Sequence, residues 1–310
     1  MKKNVLLFSA LFLIKGIYAQ GLLDEIEKAD STVVAKPKKE KVYDTFAGTR
    51  LINMHTTESY PRNTFVFIIQ HRFGRVNGGF YEFFGLDAAS MRFGFEYGIL
   101  NDLTVGFGRS TYLKTWDGFV KYRILTQTKG PRQMPVSLSL MASAAIDGRK
   151  QLYSDGRPTA FSQRMSYAYQ LLVARKFTDW LSIQLTPSLV HYNMVATKAD
   201  KNLLFLMGGG VRFRITPAFS ITGEYHFRIG DNPGGLSRNS AGLGFEINTG
   251  GHVFQITVTN SQPMFDSGYL RQTTGDITRG DIHLGFNITR AWGFGKNRAK
   301  KRAELHNSQL

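Results

Sequence analysis

The 310-residue sequence predicts an all-β fold, a closed antiparallel transmembrane β-barrel of about twelve strands behind a short N-terminal periplasmic segment. Three observations predict it: runs of about ten residues with period-two hydropathy, connections that alternate short and long, and a polar phase poor in lysine.

The opening "MKKNVLLFSALFLIKGIYAQ" has the layout of a secretory signal, with Lys2 and Lys3, an apolar run from Val5 to Ile14 and small Ala19 before Gln20. Residues 1–19 are read as that signal. The run is too short for a helical span, and no later window holds a longer one. Losing Lys2, Lys3 and Lys15 takes the formal charge from +16 to +13. Much of the rest sits in "KPKKEK" (Lys36 to Lys41) and "KNRAKKRAEL" (Lys296 to Leu305). In an exported chain these read as solvated or headgroup-facing tails, with no nucleic-acid partner. With no cysteine there is no disulfide, thiolate metal site or lipid-anchor attachment point.

Residues 20–62 are polar without sustained period and read as the periplasmic N-terminal segment. The barrel is assigned to 63–294 and a basic periplasmic tail to 295–310. "MRFGFEYGI" shows the pattern best: Met91, Phe93, Phe95, Tyr97 and Ile99 share one face, Arg92, Gly94, Glu96 and Gly98 the other. Twelve such runs lie near 64–73, 90–99, 102–110, 116–126, 135–146, 163–176, 180–191, 202–215, 218–229, 238–248, 252–260 and 280–291. "LND", "FTD", "ITPAF" and "TGG" are short connections for the periplasmic side; the connection after 146 and the one after 260 are long. The fourth, "TQTKGPRQM", breaks the alternation. Pro187 lacks an N–H for the ladder and predicts a bulge.

In "NTGGHVFQITVTN", Gly250 and Gly251 read as a tight periplasmic turn, and His252 opens the eleventh strand in phase with Phe254, Ile256 and Val258. Tyr97, Tyr112, Trp116, Tyr122, Trp180, Tyr192 and Trp292, near strand ends, predict interfacial girdles. The opposite phase predicts the lumen lining: Arg92, Glu96, Lys121, Arg123, Arg212, Arg214, Glu224, His226, Arg228, Glu246 and His283. Arg72 and Asp281 are placed inward too, for a basic excess that favours small anions, with the charges pairing across a largely filled interior.

From about Phe46 to Phe294 the chain resembles an uncharacterised family of outer-membrane β-barrels of Bacteroidota. The likeness is carried by "FAGTRLINMHT", "QHRFG", "FFGLD", "GFGRS", "RKF", "TGGHVFQITVTNSQPM" and "GDIHLGFNITR". It implies a barrel without an established activity, and a genomic setting near haem-protein and lipocalin-like genes that hints at redox or lipophile handling. Barrels of this kind close on a polar-x-Gly-x-x-apolar-x-aromatic signal. His283, Gly285 and Ile288 fit it, but Arg290 takes the final place, leaving Trp292 or Phe294 to substitute.

No chemistry-bearing constellation emerges. His71, His191, His226, His252 and His283 lack ligand spacing, so no metal or cofactor is expected. Ser188, His191 and Asn193 near one strand end raise a lipid hydrolase as an alternative, but Ser188 and His191 fall on opposite faces and no Gly-x-Ser-x-Gly is present. "GGG" (Gly208 to Gly210) and "GFG" (Gly106 to Gly108) lack the helix and lysine of a phosphate loop and read as glycine packing in a barrel. Arg72 or Arg75 is expected to tether the first outer loop through Asp87. The functional expectation is a non-enzymatic outer-membrane barrel in envelope transport or in docking a periplasmic partner, in contact with outer-membrane lipid and the barrel-insertion machinery. A soluble exported lipophile-binding barrel is the third alternative.

Overall fold

Twelve antiparallel strands close on themselves in sequence order: β1 (Thr64–Arg75), β2 (Ala89–Gly98), β3 (Leu103–Ser110), β4 (Trp116–Leu125), β5 (Ser137–Ile146), β6 (Met165–Lys176), β7 (Leu181–Tyr192), β8 (Leu203–Arg214), β9 (Phe219–Ile229), β10 (Ser240–Asn248), β11 (His252–Thr259) and β12 (His283–Gly293). The ring is sealed by β12 against β1, with Ile288 opposite Ile69. This is a computed structural model, and it describes residues 39–152, 158–195, 197–230, 235 and 237–294. The expected signal, the start of the N-terminal segment and the basic tail lie outside the described residues. Residues 41–129 and 134 onward form the barrel unit; Gly130 and Arg132, both in left-handed conformation, fall in a second small unit.

Period-two sequences build these strands because every second side chain faces lipid. Phe95, Phe107, Phe205, Phe227 and Ile256 point outward with about 37–61% of their surface exposed, a contiguous apolar belt that a water-soluble protein would not carry. No helix among the described residues is long and apolar enough to cross a membrane. Connections 99–102, 177–180, 215–218 and 249–251 are tight and lie at one end, with Gly250 at φ +74°. The fourth connection, 126–136, breaks the alternation as expected; of the connections at the other end the last, 260–282, carries α1 (Asp266–Arg271).

Four expectations change. Pro187 sits in β7 opposite Met207 without a register shift. On its other side the β6–β7 ladder skips from Gln170–Ser188 to Val173–Leu185, so the missing N–H falls in a gap of unchanged register. The irregularities occur instead at His283/Gly285 and Arg123/Leu125. Asp87 does not tether the first long loop. Arg75 meets Asp281 at 3.3 Å, which places Asp281 in the loops and not in the lumen. There the Asp276 N–H, then Asn77, hold the Asp281 carboxyl below its usual range. Tyr192 leaves the aromatic girdle, its hydroxyl donating to the Ser267 carbonyl at 2.9 Å.

Candidate functional site

The lumen is occupied by the chain itself. Part of the stretch expected to be a periplasmic segment runs inside the barrel, and every residue from Gly48 to Thr57 is buried. Within the insert, Thr56 N donates to Thr49 O and Leu51 N to Met54 O, both at 2.9 Å, folding residues 48–57 into a tight reversal. Such a turn satisfies few of its own main-chain groups, and burial demands partners for the rest. Wall side chains supply them.

Glu224 of β9 is the main clamp. Its carboxylate accepts the N–H of Ile52 at 3.1 Å, of Asn53 at 3.0 Å and of Met54 at 2.9 Å. Gln184 of β7 receives the Thr57 N–H and donates to the His55 carbonyl at 2.7 Å. Gln255 of β11 donates to Leu51 O at 2.6 Å and Asn287 of β12 to Ile52 O at 3.0 Å. Lys121 of β4 donates to the carbonyls of Thr56 and Glu58. These contacts form a connected network: Arg212 pairs with Glu246 at 3.1 Å, Glu246 accepts from Gln255, and Asn287 accepts from Arg72, which reaches Asn53.

Shape complements the polar grip. A Cβ on Gly210 would stand 2.4 Å from Leu51, one on Gly208 3.0 Å from Met54, and one on Gly242 3.1 Å from Ile52. The inward glycines of β8 and β10 are therefore the seat of the insert.

The second occupant enters from the long-loop end. Met264 to Leu270, including all but the last residue of α1, are buried. Gln170 donates to the Tyr269 hydroxyl at 3.2 Å, Ser166 and Ser267 share a 2.8 Å hydrogen bond, and the His226 ring lies 5.0 Å from that of Tyr269. The two inserts meet where His55 Nε2 stands 3.6 Å from Asp266 Oδ2, both side chains buried. His55 also packs edge-on against Phe119 at 4.5 Å.

Of the lumen residues read from the sequence, Lys121, Arg212, Glu224 and Glu246 belong to this network. Arg123 donates to Ser59 O at 3.1 Å. Arg92 is buried against Asp117, Nε to Oδ1 at 2.9 Å. Charges thus pair along the wall, between alternate strands, and not across the lumen. Glu96 is buried with neither carboxylate oxygen hydrogen-bonded among the described residues. Arg228 bonds Ser237 near the mouth, and His283 donates from Nδ1 to Phe73 O at 2.8 Å. Arg214 is half-buried at the end of β8. Asp117, Asp266 and the clamped main chain itself were missed.

The alternative sites do not assemble. Ser188 faces inward and donates to Thr186 O, His191 faces outward beside Tyr167, and Asn193 donates to Ser162 O. His252 also faces outward, stacked on Phe254 at 5.6 Å. Among the described residues no cluster of three metal-ligating side chains occurs.

No curated protein matches the chain. Among solved structures it is similar to the NanC porin (10% identity, 74% of this chain and 100% of that one, TM-score 0.46) and the KdgM porin (10%, 74% and 99%, 0.43). It is also similar to the COG4313 outer membrane channel from Pseudomonas putida F1 (12%, 76% and 98%, 0.42). The family match runs from residue 46 to 292 and so begins inside the inserted segment. The chain belongs to the family described as membrane bound beta barrel domain (DUF5777).

Proposed function

We propose that this protein is a non-enzymatic outer-membrane barrel of envelope transport, exported through a signal removed near Ala19, whose path is closed at rest by two segments of its own chain. The observation that carries the reading is the clamp of Glu224 on three consecutive main-chain N–H groups. The N-terminal insert is held by discrete hydrogen bonds, each worth about 0.5–3 kcal/mol net, beside one small apolar cluster of Phe46, Leu51, Met54 and Ala174. A closure made of such bonds opens when a partner offers the same main-chain groups other acceptors. The basic "KPKKEK" stretch leads into the insert and gives a periplasmic partner a handle on it.

Planar-bilayer recording tests the reading. The intact chain should be silent or pass a small current. A chain lacking residues 44–58, with 263–272 replaced by a Gly-Ser linker, should conduct steadily, because the emptied lumen is lined by charged side chains of both signs, Arg72, Arg92, Lys121 and Arg212 with Glu96, Asp117, Glu224 and Glu246. A folded, unplugged barrel that stays silent, or a large steady current from the intact chain, contradicts it.

A further inference from the structure

Beside α1, at the long-loop end, lies a cavity of about 490 Å³, within the size range of small-molecule sites. Its lining is of two kinds. Leu113, Met165, Leu204 and Phe265 are apolar, whereas five cationic side chains stand against only two carboxylates, Asp147 and Asp200, among the described residues.

The cations are not equivalent. Arg149 is neutralised by Asp147, with contacts of 2.6 and 3.0 Å. Arg164 instead donates to the carbonyls of Asp147, Arg149 and Lys150, and Arg271 to that of Asn202 at 3.2 Å. Carbonyl dipoles orient a guanidinium without cancelling its charge. Arg271 also lies over the Tyr192 ring at 4.8 Å, which fixes its plane at the cavity wall.

We propose that this cavity binds an anionic amphiphile, a carboxylate or phosphate met by Arg164 and Arg271 and bearing an apolar group that seats against Leu204 and Phe265. The assignment rests on the transport reading and deepens it, because Phe265 and Arg271 belong to the loop that fills the lumen. A ligand in the cavity touches the plug directly. Cations are repelled, and a bare inorganic anion leaves the apolar lining unused.

Titration calorimetry on the intact protein in lipid nanodiscs, with empty discs subtracted, tests this using 1-naphthyl phosphate, 1-naphthol and inorganic phosphate. The phosphate ester should bind at least tenfold more tightly than either fragment. Arg271→Gln and Arg164→Gln should each weaken it by about tenfold, the scale of one charged hydrogen bond, while folding stays unchanged by gel mobility. No binding of the ester, equal binding of inorganic phosphate, or indifference to both substitutions would overturn the assignment. Conductance of the unplugged chain is read separately. A failed titration beside a conducting unplugged barrel removes the ligand alone, and a silent one beside a successful titration removes the transport reading alone.

Discussion

Glu224→Ala should release the inserted segment while leaving the barrel folded. The substitution strands three buried N–H groups, at about 1–3 kcal/mol each. Even the low end of that sum shifts the docked-to-undocked ratio roughly a hundredfold. The absence of native cysteine gives a clean readout: a cysteine at Thr49, buried in the intact protein, should resist a soluble maleimide and become reactive once Glu224 is Ala. Glu224→Gln keeps one acceptor oxygen and should give an intermediate rate. Equal protection of the Thr49 position in all three backgrounds would show that the carboxylate does not hold the insert.

Arg92→Met should destabilise the barrel more than any other single wall substitution. Its guanidinium neutralises Asp117 in a buried position, donates to Gln70 at 2.9 Å, and spreads over Gly94 and Gly108, where a Cβ would come within 2.7 and 2.3 Å of it. Removing it leaves a buried, uncompensated carboxylate, at a cost of about 3–5 kcal/mol. Denaturant titration followed by the heat-modifiable gel shift should show a correspondingly lower midpoint. The double change Arg92→Met with Asp117→Leu should recover most of the loss, since an apolar pair replaces the ion pair. A single variant as stable as the parent would place the Asp117 charge elsewhere.

The strands were legible because the bilayer imposes a strict alternation: Phe93, Phe95 and Tyr97 must face lipid, which turns Arg92 and Glu96 inward. The same phase placed Lys121, Glu224 and Glu246. Asp117 shares the phase of Lys121; its ion pair with Arg92 was not legible, because alternation gives the face of each residue but not its register against a strand two places away. The inserted segment was not legible in "FAGTRLINMHTTE", which has no period, since its hydrogen bonds are made to side chains more than a hundred residues away. A signal for it did exist. Gly208, Gly210, Gly242 and Gly244 empty one side of the lumen, and a tightly packed interior does not leave such space without a neighbour to fill it. The buried run "PMFDSGYL" in the last long loop carried a similar signal, because an exposed loop has little use for Met264, Phe265, Tyr269 and Leu270 together.

Hydrogen exchange at the main-chain amides of Ile52, Asn53 and Met54, in the intact protein reconstituted in lipid, tests the account most directly. If the insert is clamped by Glu224 inside a closed ring, these three amides exchange as slowly as those of β9 and β11, and Glu224→Ala accelerates them while the strand amides stay protected. Exchange of the three amides at the rate of an exposed loop in the intact protein would contradict it.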